Sequence, residues 1–311
     1  MLEIRDYRDQ DLSILVKLLN EAYKDAYEFM PLTEEEVNAR IREAKSKVLI
    51  AEREGEIVGS VTYNDGYWGE EIRWLVVRCG YSELDRIDIE DGLVEKAEGF
   101  VVGDSVFTSV DDDDPRSKQW VNRGYIQSGG LYQMTANLNG PRPLPTLEKA
   151  FSVGSMRPGE ENQVVDAVNK VFGWERLKPD FIQKGKIDSP PFTEEWVQVA
   201  YFEDKVVSVV VAWPAVRFNA HFGTRRGYLG PAATLPEYRS KKLASALTVR
   251  AMNFLLEKGF PQVVLHTSEA NIPSVTLLRK VGFQVGHHIK FLRKKLPTKI
   301  RVDTDLMDEK P

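Results

Sequence analysis

An internal repeat constrains the fold of this chain more than any other feature of its sequence. A strand-like segment beginning at Ile4 and the helical pattern after it recur 149 residues further on, beginning at Val153, and a later hairpin pattern recurs at the same shift. The matched positions include Ile4 and Val153, Asn20 and Asn169, Tyr23 and Phe172, and Ile50 to Val58 and Val199 to Val207. Near the ends of the copies, Pro115 and Gly124 match Pro273 and Gly282 at a shift of 158 residues. Because the same shift of 149 residues relates two separate pairs of segments, the sequence predicts two similar domains in tandem.

Each copy has the pattern of mixed α and β structure. A short strand precedes an amphipathic helix, in which apolar residues recur every three or four positions, and a β-hairpin follows the helix. In the second copy the patterns predict strands over Val197 to Phe202, Val206 to Trp213, Gly227 to Leu235, Val263 to Thr267 and Phe283 to Leu292, and helices over Ser240 to Lys258 and Pro273 to Lys280. The predicted class is α+β, with helices flanking a mixed, mostly antiparallel sheet in each domain.

The predicted domains are residues 1–140 and 151–296. Between them residues 141–150 form a linker, because the stretch from Gly140 to Pro145 is rich in proline and therefore stiff. The polar tail, residues 297–311, is predicted either to be disordered or to lie along the first domain.

Composition narrows the class of protein. The 311 residues carry a formal net charge of −5, which gives no reason to expect a general nucleic-acid surface. Cys79 is the single cysteine, so an intramolecular disulfide framework is excluded and a reducing compartment is favoured. The first residues carry early charges, and neither a signal-length nor a membrane-spanning apolar run is present. We expect a cytoplasmic protein without membrane or nucleic-acid partners.

A basic turn stands out against this acidic background. Residues 231–245 predict a strand that stops at a Leu-Pro pair and passes through Arg239, Lys241 and Lys242 into an apolar helix. The first amides of a helix have no intrahelical partner, and the helix dipole adds partial positive charge there. The turn is therefore a predicted site for phosphate groups. About thirty residues later, Glu269 to Ser274 opens a second helix that ends at Gly282.

With both motifs in this order and spacing, the chain resembles the GNAT (Gcn5-related N-acetyltransferase) superfamily, whose members use acetyl-CoA. The resemblance implies an acetyl-CoA-dependent N-acetyltransferase with two tandem GNAT-like domains. The family's pyrophosphate signature falls on Arg239 to Ala244, with Lys242 at the position of its central glycine. Glycine permits close approach of the backbone to phosphate, but a helical Lys242 would still direct its amide at the ligand. By this resemblance the cofactor-binding residues are Ala232, Ala233, Thr234, Arg239, Ser240, Lys241, Lys242, Leu243, Ala244, Ser245, Asn271 and Ser274; no metal is implied.

The resemblance leaves the catalytic residues open. Many family members place a tyrosine acid seven residues after the asparagine, and here that position is Leu278. Some place a glutamate base five residues before it, and here that position is His266, a type of side chain that titrates near neutral pH. Glu269 is the alternative base. A thiolate leaving group is moderately stable near neutral pH, so a missing acid need not abolish turnover.

The acceptor is expected to be an amine of a small molecule or peptide. Trp213 to Arg226 is predicted to be a long loop that either contacts the acceptor or faces solvent as a simple hairpin loop. In the first copy the stretch matching the basic turn, Arg78 to Arg86, is followed by acidic residues, and Asp111 to Asp114 is predicted to be a solvated turn that caps the next helix. We therefore expect a degenerate first domain that covers and shapes the second. The alternative function is a non-catalytic acyl-CoA-binding protein, and the sequence leaves the oligomeric state open.

Overall fold

The computed structural model describes residues 1–42, 46–66 and 68–297. Contacts divide the chain into two units: an N-terminal unit of Met1–Gly130 with the segment that begins at Ile289, and a C-terminal unit of Leu131–His288. These division points differ from the predicted boundaries after residues 140 and 296. Within the described residues, no helix is long and apolar enough to cross a membrane. Most of the predicted tail, residues 298–311, lies outside the described residues.

The first half of the sequence forms ten helices and strands among the described residues. They are β1 (Leu2–Asp6), α1 (Leu12–Tyr23), α2 (Glu34–Ile41), β2 (Ser46–Arg53), β3 (Glu56–Gly66), β4 (Gly69–Val77), α3 (Glu83–Glu98), β5 (Ser105–Asp111), α4 (Ser117–Asn122) and β6 (Ile126–Asn137).

The second half forms a matching series. It consists of β7 (Phe151–Ser155), α5 (Glu161–Phe172), α6 (Phe181–Asp188), β8 (Val197–Phe202), β9 (Lys205–Pro214), α7 (Val216–Phe222), β10 (Arg226–Thr234), α8 (Leu243–Glu257), β11 (Gln262–Ser268), α9 (Ile272–Lys280) and β12 (Gln284–Lys295). Strand β7 and helix α5 lie 149 residues after β1 and α1 with the same lengths, and β12 lies 158 residues after β6. The predicted α+β class and the repeat are confirmed.

Two asparagines at matching positions of the repeat, Asn20 and Asn169, make the same main-chain hydrogen bonds in both units. The Asn20 side chain bonds both the amide and the carbonyl of Leu32, at 2.7 and 3.0 Å. Asn169 bonds the amide and the carbonyl of Leu177, each at 2.8 Å. Each asparagine therefore fixes the segment that follows the first long helix of its unit, which gives the sequence match at this position a physical reason.

Each unit completes its sheet with a strand from the other half of the sequence. The N-terminal unit has the order β1-β2-β3-β4-β5-β12, in which Ile289 to Lys295 pairs with β5. The C-terminal unit has the order β7-β8-β9-β10-β11-β6, in which Leu131 to Asn137 pairs with β11. Neighbouring strands run antiparallel except for β4 with β5 and β10 with β11. This exchange of final strands is why the contact-based units do not end where the repeats end.

Both faces of the C-terminal sheet are covered by helices. Strand β9 is buried at nearly every position, and it contacts both α5 and α8. The proline-rich stretch predicted as a linker lies against α8, because Asn253 bonds the amide and the carbonyl of Arg142, each at 2.8 Å. The C-terminal half of α8 is therefore held by this stretch, and the helix also packs on the sheet.

Candidate functional site

The C-terminal sheet opens between two parallel strands. In the part of the chain that the structure describes, β10 and β11 pair over Arg226 to Tyr228 with Gln262 to Val264. Beyond that point β10 contains a bulge, because its register with β9 shifts between Leu229 and Ala232. Pro231 lies in the bulge and has no N–H with which to continue a ladder. The two strands therefore leave unpaired main-chain edges facing each other.

The direction of each main-chain group on these edges follows from the hydrogen bonds on the far sides. The Leu235 amide bonds the Val207 carbonyl on the β9 side at 3.0 Å. Because main-chain groups alternate along an antiparallel pair, Ala233 also faces β9, whereas Ala232 and Thr234 face the opening. The same reasoning from the bond of Leu138 to Pro261 turns the main-chain groups of His266 toward the opening. Of the three strand residues predicted to bind the cofactor, Ala232 and Thr234 thus direct their main-chain groups to the opening, and Ala233 does not.

The basic turn lies between β10 and α8 and has an unusual backbone. Ser240 and Lys242 have left-handed φ angles of 63° and 64°, so the helix begins at Leu243 rather than at Ser240 as the sequence predicted. A left-handed φ is costly for a side chain with a Cβ and is the conformation that glycine adopts freely. Lys242 is thus not helical, and the turn keeps the conformation of a glycine motif without the glycine.

The start of α8 supplies three donors. Ala246 is the first residue whose amide bonds back to the Lys242 carbonyl, at 3.0 Å. The amides of Leu243, Ala244 and Ser245 precede it and therefore have no intrahelical acceptor. These are the predicted phosphate donors.

The cations of the turn are solvent-exposed, and two of them make contacts within the protein. Arg239 donates to the Thr234 carbonyl at 3.4 Å, and Lys241 lies 2.9 Å from the Glu148 carboxylate. An exposed ion pair of this kind contributes about 0 to 1 kcal/mol, so an anionic ligand can compete with Glu148 for Lys241.

His266, the predicted base, has an exposed side chain on β11. Its ring centroid lies 6.0 Å from that of Tyr228, which is next to the opening on β10. Burial raises the pKa of the Tyr228 hydroxyl, and the Arg176 cation and the His266 amide oppose that shift. Sequence reasoning missed Tyr228, although a tyrosine two residues before the Gly230-Pro231 pair inside a predicted strand was an available signal.

Glu269, the alternative base, contacts a second histidine. Its Oε2 lies 2.7 Å from Nε2 of His288, and the His288 ring is 4.9 Å from the ring of Tyr132. The Glu269 and His288 side chains are both mostly buried, with 23 % and 18 % of their surface exposed. No local pattern could have indicated His288, because it meets Glu269 only through the pairing of distant strands.

The Asn271 segment is organised mainly as a helix cap. Oδ1 of Asn271 accepts from the Ser274 amide at 3.2 Å, and the Ser274 hydroxyl accepts from Thr267 at the same distance. Leu278, at the family's usual acid position, is buried in the hydrophobic core. The structure therefore has a core side chain where many family members have the acid.

The stretch predicted as an acceptor loop is largely helical, which corrects the sequence prediction. Helix α7 occupies Val216–Phe222 and ends at Gly223, which has a left-handed φ of 62°. Asn219 bonds both the amide and the carbonyl of Arg226, at 2.7 and 2.9 Å, and so closes the helix onto the start of β10. The prediction failed because these bonds are made by one asparagine that carries no periodic signal.

The corresponding helix start in the N-terminal unit has the opposite charge. Helix α3 begins after Ser82, whose hydroxyl oxygen accepts from the Asp85 amide at 3.1 Å, and Glu83 and Asp85 lie in its first turn. Carboxylates at this place disfavour a bound anion. In the predicted aspartate turn, Asp114 accepts from the amide and the guanidinium of Arg116.

The C-terminal unit thus combines a parallel strand pair that opens with a basic turn at the start of a helix whose first three amides have no intrahelical acceptor. A model of the acetyltransferase (GNAT) family matches residues 162–283. This match lies within the C-terminal unit, Leu131–His288.

The chain is also similar in sequence to individual acetyltransferases. The chain is 26 % identical over 152 residues to the mycothiol acetyltransferase of Saccharomonospora viridis, a match that covers 46 % of this chain and 48 % of that protein. It is 27 % identical over 96 residues to N-alpha-acetyltransferase 30 of Schizosaccharomyces pombe, covering 30 % and 61 %. Three of the mycothiol acetyltransferase matches span about half the length of those proteins.

Solved structures resemble the fold over nearly the whole chain. A GCN5-related N-acetyltransferase from Sphaerobacter thermophilus superposes with a TM-score of 0.63 at 15 % identity and covers 94 % of this chain and 95 % of that one. A tandem GNAT protein from the clavulanic acid biosynthesis pathway has the same TM-score at 13 % identity and covers 96 % and 100 %. Two tandem GNAT-like domains are thereby confirmed as the fold.

Proposed function

We propose that this protein is an acetyl-CoA-dependent N-acetyltransferase whose C-terminal unit transfers the acetyl group directly to an amine. The observation that carries the proposal is the opening between β10 and β11 beside the start of α8. One side offers main-chain hydrogen bonds to an extended ligand, and the other offers amides and cations to phosphates.

The residues present fit acetyl-CoA. The main-chain groups of Ala232 and Thr234 suit the amides of the pantetheine arm, because an extended ligand can add to an open sheet edge as a strand does. The amides of Leu243, Ala244 and Ser245 suit the pyrophosphate. Around them, Arg239, Ser240, Lys241 and Lys242 supply charge and a hydroxyl, and Asn271 and Ser274 border the second helix start. When bound, acetyl-CoA supplies an acyl thioester.

In this proposal the protein removes a proton from the acceptor amine and positions the amine beside the thioester. The acceptor amine must lose a proton as its nitrogen bonds to the acyl carbon, and the negative charge that develops on the sulfur as the C–S bond breaks must be stabilised. His266 is the proposed base, and Glu269, held by His288, is the alternative. Because burial raises the pKa of Tyr228, its hydroxyl remains protonated near neutral pH and can donate a hydrogen bond at the opening. The thiolate can leave without a dedicated acid at Leu278.

The names of the relatives indicate only a broad class of acceptor. They include a mycothiol acetyltransferase and an N-alpha-acetyltransferase, so the amine belongs either to a small molecule or to a peptide. In this proposal the protein acts in the cytoplasm, and its N-terminal unit is a degenerate copy that serves as a scaffold, because the start of α3 is acidic where that of α8 is basic.

Two observations favour a second candidate, a non-catalytic acyl-CoA-binding protein. Leu278 is buried in the core, and Lys242 replaces the usual glycine. Release of free thiol from acetyl-CoA, measured across an amine library, separates the two functions. Turnover with any amine supports the enzyme, whereas binding without turnover on all amines supports the alternative.

A charge-reversal experiment tests the cofactor site itself. The double variant Arg239→Glu, Lys241→Glu is expected to weaken binding of coenzyme A by about tenfold or more and to leave phosphate-free pantetheine nearly unchanged, because each cation contributes a charge-assisted contact to phosphate. Lys258→Glu is the matched control, since Lys258 is exposed at the opposite end of α8 and pairs with Glu195. Equal losses for both ligands would show that the turn does not hold the phosphates.

A further inference from the structure

The side chains at the opening of the C-terminal sheet lie on one face of that sheet. Gly227 faces α8, because a Cβ built there would lie 2.7 Å from the Leu255 side chain. Side chains alternate along a strand, so Tyr228 points to the opposite face. His266 shares that face, since Tyr228 is opposite Val264 and residues two apart on a strand point the same way. The proposed base and Tyr228 are therefore both on the face away from α8, with their ring centroids 6.0 Å apart.

Helix α6 lies over this face. A Cβ built on Gly185 in α6 would lie 2.9 Å from the Trp213 ring. Trp213 is opposite Tyr228 in the pairing of β9 with β10, so these two side chains are on the same face. Residues 173–180 connect α5 to α6. This connection therefore leads onto the face of the sheet from which an acceptor amine can reach the exposed side chain of His266.

The connection is fixed in place and has an arginine at its centre. Oδ1 of Asn169 accepts from the amides of Arg176 and of the leucine after it, each at 2.8 Å. In the N-terminal unit Asn20 accepts from the amide of Leu32 in the same way, and the residue before that leucine is Pro31. The repeated arrangement thus forms without an arginine at this position. The Arg176 side chain is therefore not required for the turn that Asn169 holds.

The guanidinium of Arg176 is exposed and lies against two aromatic rings. It is 5.9 Å from the ring centroid of Phe172 and 5.6 Å from that of Trp174. Of the residues that the structure describes, none forms an ion pair with Arg176. Contacts with rings leave the N–H donors of a guanidinium available for an anion. Arg176 therefore presents an ordered cation that has no carboxylate partner among the described residues.

The charged neighbours of Arg176 in the sequence leave its positive charge in excess. Glu175 and Lys178 are both exposed and carry opposite charges. Asp180 pairs with Lys184 at 2.9 Å. These four charges sum to zero, so the connection and the first turn of α6 together have the net charge of Arg176.

Two other charged groups near the opening already have contacts within the protein. Arg226 is on the same face of β10 as Tyr228, and its guanidinium is buried against the Phe218 ring, 3.3 Å from the ring centroid. Glu269 lies 2.7 Å from His288. Neither group is assigned to the acceptor here, and Arg176 is the cation left for it.

The charge of Arg176 acts on the opening itself. Burial raises the pKa of the Tyr228 hydroxyl, and the Arg176 cation and the His266 amide lower it. Because interactions between charges weaken with distance and with exposure to solvent, an exposed cation that affects this hydroxyl lies in the same region of the unit. A ligand group bound at Arg176 therefore lies close to the proposed reaction site.

We propose that the acceptor is an amine that also carries a carboxylate, and that the carboxylate binds Arg176 while the amine lies at His266. This inference rests on the proposed function and names the substrate class. A guanidinium offers one charge and a planar fork of donors, which match a singly charged carboxylate. A diamine would place a second cation beside Arg176 and would be repelled.

Acceptors that differ only in their second group test the proposal. The probes are β-alanine, γ-aminobutyrate and δ-aminovalerate, which separate the two groups by increasing lengths, together with the neutral amide of each and the diamine cadaverine. Thiol release from acetyl-CoA gives kcat/KM. At least one of the acids is expected to exceed its amide by about tenfold or more, and cadaverine to fall below the amides. Amides that match or exceed their acids at every length would overturn the proposal.

Variants assign the preference to Arg176. Arg176→Gln should bring the ratio of acid to amide close to one, and Arg176→Glu should favour cadaverine over the acids. Lys178→Gln is the matched control, because Lys178 is an exposed cation of the same connection. Any difference in amine pKa between an acid and its amide is the same for every variant and cancels in the comparison. An equal fall of the ratio in Lys178→Gln would refute a site at Arg176. If a variant fails to fold, the comparison on the unaltered chain still decides.

Calorimetry separates failure of this inference from failure of the proposed function. The three acids are titrated into the full chain with coenzyme A present, so that no acetyl group is available. Acids that bind, and bind about tenfold more weakly to Arg176→Gln, would support the carboxylate site even if no amine were acetylated. Acetylation of amines without this loss of affinity would overturn the carboxylate site and leave the acetyltransferase function standing.

Discussion

Replacement of Lys242 by glycine is expected to stabilise the C-terminal unit. A left-handed φ costs a residue with a Cβ about 1 to 2 kcal/mol, and Lys242 has such an angle, 64°. Glycine removes that cost but adds about 0.5 to 1 kcal/mol of backbone entropy in the unfolded chain. The net expectation for Lys242→Gly is a gain of about 0 to 1.5 kcal/mol in the free energy of unfolding.

The neighbouring lysine provides a matched control. Lys241 is not among the residues with left-handed φ angles, so glycine there brings the entropic cost without relief of strain. It also removes the exposed ion pair with Glu148, which is worth about 0 to 1 kcal/mol. Lys241→Gly should therefore destabilise the unit by about 0.5 to 2 kcal/mol, and the two variants should differ in sign.

The assay must report on the C-terminal unit, because a chain with two units need not unfold in one step. Hydrogen exchange of the α8 segment, Leu243–Glu257, measured by mass spectrometry at increasing urea concentrations, gives its free energy of opening. Equal destabilisation by both variants would refute the reasoning, because the left-handed backbone of Lys242 would then carry no cost.

Three further predictions follow from the contacts described. Asp11→Asn should destabilise the N-terminal unit by about 3 kcal/mol, because it breaks a mostly buried 2.7 Å pair with Arg5. Burial raises the pKa of Asp11, but hydrogen bonds from Arg5 and the Arg8 amide lower it more, so the folded pKa is below its usual range. This stabilisation is present above pH of about 4 and is lost as the pH falls through the folded pKa, so acid unfolding followed by circular dichroism should be shallower in the variant. Asn20→Ala and Asn169→Ala should each cost about 1 to 3 kcal/mol, measured by urea-dependent hydrogen exchange of their own unit, and an effect confined to one of them would contradict their equivalence. His266→Gln should lower kcat for acetyl transfer about 100-fold or more and remove the rise of rate with pH, whereas the same losses in Glu269→Gln alone would transfer the role of base to Glu269.

The sequence by itself determined the repeat, the α+β class and most helices and strands. Strand β8 coincides with its predicted span, and β7 and α5 lie at the repeat shift from β1 and α1. These features are local, because a period of two or about 3.6 residues and a turn signal can be read within a dozen residues. The basic turn and the family motifs are also contiguous in sequence, so they could be predicted as a site.

Only the tertiary structure determined which distant segments pair, which side chains meet and which residues adopt a left-handed backbone. The sequence predicts the final strand of the second copy but not its neighbours, and in the structure β12 pairs with β5 whereas β6 pairs with β11. The contact of Glu269 with His288 depends on that pairing. The left-handed conformations of Lys242 and Trp74 oppose the preferences of their residue types. Such angles persist because surrounding contacts outweigh a local cost of about 1 to 3 kcal/mol, and those contacts come from residues far away in the sequence.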